Sequence, residues 1–101
     1  MCTSIVEIVP VEGMAKRGEE WFALGQAVVA YDHARHAPLG DVITLDFINP
    51  DLDVGARAGV ELTLETARAL RAALDRAIAA ADVEEAEARG KGAPGRLVRA
   101  A

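Results

Sequence analysis

The 101-residue chain has little of what usually makes chemistry recognisable: one cysteine, two histidines, one tryptophan, one tyrosine and two phenylalanines. A lone cysteine excludes an internal disulfide and any paired Cys-x-x-Cys redox motif. No Gly-x-Gly-x-x-Gly, no Walker loop and no Gly-x-Ser-x-Gly elbow occurs, which argues against nucleotide cofactors and serine hydrolysis. Gly90-Lys91-Gly92 lacks the glycine spacing and the following helix that phosphate cradling needs. Long apolar runs are also missing. The most apolar stretch, Trp21 to Tyr31, is too short to cross a bilayer and contains Gln26, and Met1 to Glu7 has no basic residue. These absences predict a soluble, cytoplasmic protein with no membrane contact.

Positive charge is scarce where it would matter. Residues 1–89 hold 8 Lys and Arg against 16 Asp and Glu, a balance of −8, while residues 90–101 add three basic groups to give the formal net charge of −5. Phosphate backbones are bound by clustered Lys and Arg, so the acidic body argues against nucleic acid as a partner. With 21 alanines, and nine arginines against two lysines, the composition suggests a GC-rich bacterial genome.

What is present suffices for one small domain over residues 1–89, followed by a mobile basic tail over 90–101. A chain of this length buries only about 65% of the surface it exposes when unfolded. With no disulfide to help, added stability is expected from self-association into a homodimer or higher oligomer.

The β-branched Ile5, Val6, Ile8 and Val9 predict a first strand within Cys2 to Val11, ending at Pro10. Gly13 to Glu20 reads as a polar connection. Trp21 to His33 reads as a long second strand, with Gly25 marking a bulge or a close backbone approach. Pro38-Leu39-Gly40 turns the chain into a third strand, Asp41 to Asn49, and Asp51 to Gly55 turns it again into a fourth, Ala56 to Leu62. Beyond Leu62 the apolar period changes from two to about 3.6, with Leu64, Ala67, Leu70, Leu74, Ala77 and Ile78 on one side of a helix. Thr63 is a natural N-cap for that helix. The fold class is therefore α+β, a four-stranded antiparallel sheet followed by one long C-terminal helix (ββββα). One helix covers one sheet face, and the second face is expected to be buried in an oligomer.

Alternation assigns the two faces. Ala56, Ala58, Val60 and Leu62, with Ile43, Leu45 and Phe47, form an apolar set. If the second strand is regular, Trp21, Tyr31 and His33 share the other face with Asp46, Arg57 and Glu61, although a bulge at Gly25 inverts half of that strand. Apolar walls with a few convergent polar groups describe a small-molecule site, with Trp21, Arg57 and Glu61 as ligand-binding residues. They describe a dimer interface equally well, and the two are compatible if a pocket forms between subunits.

Three chemistries fit these residues. His33 can act as general acid or base, with Asp46 or Glu61 orienting it and Tyr31 or Arg57 stabilising charge on a substrate oxygen, which suits an isomerase, a cyclase or a dehydratase. Cys2, His33 and His36 can instead serve as zinc ligands with Asp32 or Asp46, in a non-catalytic metal or interaction module. The spacing His-x-x-His then requires the strand to end near His33, because strand residues three apart point to opposite faces. Otherwise no cofactor is expected. Cys2 as an N-terminal nucleophile requires removal of Met1, and burial as a small strand residue is the plainer fate.

The opening Met1-Cys2-Thr3, the segment Tyr31-Asp32-His33 with His36-Ala37-Pro38, and Asp46-Phe47-Ile48-Asn49 resemble a family of short bacterial proteins known only as a domain of unknown function. The resemblance covers about residues 1 to 80, as the element boundaries above place it. It implies no activity; the context it implies is an uncharacterised protein encoded beside biosynthetic enzymes.

Overall fold

A computed structural model describes residues 5–90. Cys2, and with it the proposed third metal ligand and nucleophile, lies outside the described residues, as does the basic tail from Lys91 onward. The elements in chain order are β1 (Val6–Pro10), β2 (Met14–Arg17), β3 (Glu20–Ala23), β4 (Gln26–His33), β5 (Asp41–Ile48), β6 (Arg57–Leu62) and α1 (Leu64–Gly90). Four strands form one antiparallel sheet in the order β1-β4-β5-β6, and β2 and β3 form a separate hairpin. By residue contacts the chain divides into one unit through Glu65, which holds every strand, and a second from Thr66, which holds nearly all of the helix. The class is α+β.

The hairpin departs from the sequence reading. Gly13 to Glu20 is not a loose connection, and Trp21 to His33 is not one strand. Arg17 pairs with Glu20 across a two-residue turn of Gly18 and Glu19, in which Gly18 takes φ 62°. That left-handed conformation is open to glycine at no steric cost, and it gives the turn a twist that matches a hairpin. The chain then breaks at Leu24-Gly25, where Leu24 N–H donates to the Gly13 carbonyl and Gly25 N–H to the Ile48 carbonyl, both at 2.9 Å. The close approach expected at Gly25 is real: a Cβ there would lie 3.2 Å from Pro50 Cδ.

Because of that break, β4 starts its alternation afresh at Gln26. Register pairs Tyr31 with Ile43, Val29 with Leu45 and Val28 with Asp46, while β5 and β6 pair Thr44 with Glu61, Asp46 with Gly59 and Ile48 with Arg57. Cross-strand partners share a face. One face thus carries Val28, Ala30, Thr44, Asp46, Arg57 and Glu61. The other carries Ala27, Val29, Tyr31, Ile43, Leu45, Phe47, Val60 and Leu62. The faces of β5 and β6 match the sequence reading, but β4 is inverted, so Tyr31, and with it His33 and its partner Asp41 at the end of the ladder, belongs to the apolar face. Trp21 is not in this sheet at all; it pairs with Lys16 in the hairpin.

The sheet unit keeps its buried apolar centre small. Val42 is completely enclosed, and Ala27 and Ala56 are nearly so. Helix α1 begins directly after Thr63, carries Glu65 in its first turn and Arg89 in its last, both favourable to the helix dipole, and buries none of its residues. It is not long and apolar enough to cross a membrane.

Candidate functional site

Residues of β5 and β6, with the connection from β4 to β5, enclose an open groove of about 1010 Å³. Its floor is the polar face of the sheet, with Thr44, Asp46, Arg57, Gly59 and Glu61. Its wall is the segment from Asp32 to Ala37, which brings His33, Arg35 and His36 to the rim.

The floor is ordered by pairing. Arg57 Nη2 donates to Asp46 Oδ1 at 2.9 Å, joining the two strands side by side. Gly59 stands directly opposite Asp46 in register, and a Cβ there would sit 2.6 Å from the same Asp46 oxygen. Glycine at this position therefore gives the Asp46 carboxylate its place over β6. Thr44 Oγ1 makes a long hydrogen bond of 3.5 Å to the Ala30 carbonyl.

The wall is ordered by Glu61. Its Oε2 accepts the Arg35 N–H at 2.8 Å, and its Oε1 accepts the N–H groups of His36 at 3.0 Å and Ala37 at 2.8 Å. His36 Nδ1 approaches Oε2 at 3.4 Å. The backbone N–H groups of Arg35 and Ala37 do most to hold the Glu61 carboxyl down at about 2 instead of 4.5, with His36 adding to them and desolvation opposing in part.

His33 and Asp41 form the last pair of the β4–β5 ladder, and His33 Nδ1 lies 2.6 Å from Asp41 Oδ1. The bond leaves Nε2 with no partner among the described residues. In the tautomer that donates from Nδ1 to the carboxylate, Nε2 is left to meet a substrate.

The structure thus brings Asp46, Arg57, Glu61 and His36 to one groove, has His33 at its rim from the last pair of the β4–β5 ladder, and leaves Tyr31 and Trp21 out of it. The expected orienting partners of His33, Asp46 and Glu61, are otherwise engaged: Asp46 with Arg57, and Glu61 with the loop. Asp41 takes that part, and sequence reasoning passed over it. The signal was there, since a second strand ending at His33 and a third starting at Asp41 place those two residues opposite each other. Among the described residues no group of three or more His, Cys, Asp or Glu is placed to hold a metal ion. His33 and His36 are instead each tied to a carboxylate.

Residues 1–87 match the model of a family described as "Family of unknown function (DUF6295)", in keeping with the resemblance carried by the opening and the Tyr31 to Pro38 segment. No curated protein and no solved structure matches the chain.

Proposed function

Because the chain belongs to that family, whose description assigns no activity, we propose from its own residues that it is a homo-oligomeric protein that binds a small metabolite in the groove over Thr44, Asp46 and Gly59. There it transfers a proton through His33, as an isomerase, cyclase or dehydratase of a bacterial biosynthetic pathway does. The observation that carries this reading is the His33–Asp41 pair at the rim, 2.6 Å from nitrogen to oxygen. Asp41 orients the imidazole and Nε2 takes or gives the proton, while the Arg57 guanidinium, steadied by Asp46 toward the other end of β5, holds an anionic group of the substrate away from the reacting centre. A panel of small carboxylic and aromatic metabolites, followed by amide shifts, is expected to yield ligands that perturb Thr44, Asp46 and Gly59. His33→Ala should abolish turnover, or weaken binding at least tenfold, while leaving the amide spectrum folded. A panel that never perturbs the groove, or a His33→Ala protein that behaves as the parent, removes the proposal.

A second reading, a zinc module of Cys2, His33 and His36, is favoured by one feature: a metal-ligating imidazole commonly donates its other nitrogen to a carboxylate, and both histidines face one through Nδ1. Titration with zinc is its test. One equivalent bound per chain, lost in Cys2→Ser and in His36→Ala, supports it, and the absence of stoichiometric zinc binding ends it.

A further inference from the structure

The segment Ala34 to Gly40 is where the groove would be expected to be least defined, since it links two strands with no regular structure of its own. Three consecutive N–H groups within it, those of Arg35, His36 and Ala37, nevertheless point at one carboxylate on a distant strand. Such a run of amides is an anion-binding nest, and the anion that fills it is the protein's own Glu61. Glu61 is half-buried, with its side chain 15% exposed. It stands on β6 opposite Thr44, in the floor of the groove, and its carboxylate meets the nest in the wall. Both of its oxygens are used, Oε2 by Arg35 and the His36 ring, Oε1 by His36 and Ala37.

We infer that Glu61 is the positioning residue of the groove: a built-in anion that occupies the Arg35–Ala37 amide nest and thereby fixes the wall carrying Arg35 and His36. It touches no substrate in this role. The inference rests on the groove being the site proposed above, but the nest can be tested without any ligand of the groove. Neutralising Glu61 has a specific consequence, because either orientation of a glutamine amide sets its NH2 group against at least one backbone N–H donor. Removing the side chain altogether leaves an empty nest, which a small free carboxylate can refill.

The experiment is amide hydrogen exchange and amide chemical shift, read at Arg35, His36 and Ala37 in the parent, Glu61→Gln and Glu61→Ala, with and without added formate. In the parent the three amides should exchange slowly although they lie in a loop. In Glu61→Gln their exchange should accelerate about tenfold or more, the loss expected for hydrogen bonds to a charged acceptor. In Glu61→Ala, formate should restore the parent shifts saturably, while chloride at the same ionic strength should not. Rapid exchange in the parent, unchanged exchange in Glu61→Gln, or a folded Glu61→Ala protein indifferent to formate would each overturn the inference. If Glu61→Ala does not fold, the parent and the glutamine variant still decide it. Formate rescue in a protein whose groove takes no metabolite would uphold the nest and discard the proposed function. Ligand binding that survives Glu61→Gln unaltered in affinity would do the reverse.

Discussion

A carboxylate that accepts three neighbouring N–H groups is tied to the folded state by its charge. Glu61 is held at about 2 when folded, against 4.5 when free. The folded chain therefore binds the Glu61 proton less readily than the unfolded chain, and the carboxylate favours folding wherever it is ionised in both. That contribution is complete above about 4.5, shrinks as pH falls below it, and is gone once pH has passed through about 2. Urea unfolding of the parent and of Glu61→Gln over this range should show a stability difference that is constant above 4.5 and closes toward 2. A difference indifferent to pH would mean that the charge is not what the loop binds. At this scale the sequence was legible in residue type and less so in role. Asp46, Arg57, Glu61 and both histidines were identifiable as candidates from polarity and position. Their pairings were not, because which carboxylate meets which base depends on register between strands. Glu61 read as an orienter of His33, yet its close partners are three backbone amides, which no side-chain pattern announces.

Elements were legible wherever periodicity ran unbroken. β5 and β6 fall within a residue of their expected bounds, and α1 begins after Thr63 as expected, since their apolar positions alternate, or recur at helical spacing, without interruption. The stretch from Gly13 to His33 failed because its apolar content is continuous across a break. Trp21, Phe22, Leu24 and Val28 look like one strand until Gly25 is pressed against Pro50 and the chain enters a new sheet. That break also inverted the faces of β4, which is why Tyr31 was assigned to the site and is absent from it. The hairpin that was missed hinges on Gly18 at φ 62°. An alanine forced into that conformation costs roughly 1 to 2 kcal/mol, so Gly18→Ala should lower stability by about that amount in chemical denaturation. The surroundings of Gly18 are open, with no atom within 4 Å of an added Cβ, so the loss would come from the backbone alone. A Gly18→Ala protein as stable as the parent would show that the turn does not need the left-handed residue.

Over the molecule as a whole, the mismatch is between what the chain has and what it hides. Hydrophobic residues make up 51% of the sequence, yet among the described residues the buried apolar side chains are Ala27, Val42 and Ala56. Burial of apolar surface is the main favourable term in folding, at about 25 cal/mol per Å², so a chain that leaves this much uncovered gains by covering it. Strand β1 concentrates the point: it is an edge strand, every residue in it is exposed, and Ile8 is 60% exposed. Unpaired edges of apolar strands invite another chain. Self-association was expected from length, as a general remedy for a small core, and was placed on the second sheet face. For the proposed oligomer the β1 edge is the place to test, because Ile8 shares its row with Val28, Asp46 and Gly59 and so borders the face that carries the groove. Sedimentation equilibrium should therefore find the proposed oligomer from low micromolar concentration upward, and Ile8→Glu, which sets a charge on that edge without touching the buried centre, should shift it to monomer. A parent that stays monomeric at every concentration would end the oligomer proposal. An oligomer untouched by Ile8→Glu would move the interface away from β1, and with it the idea that the groove is completed by a second subunit.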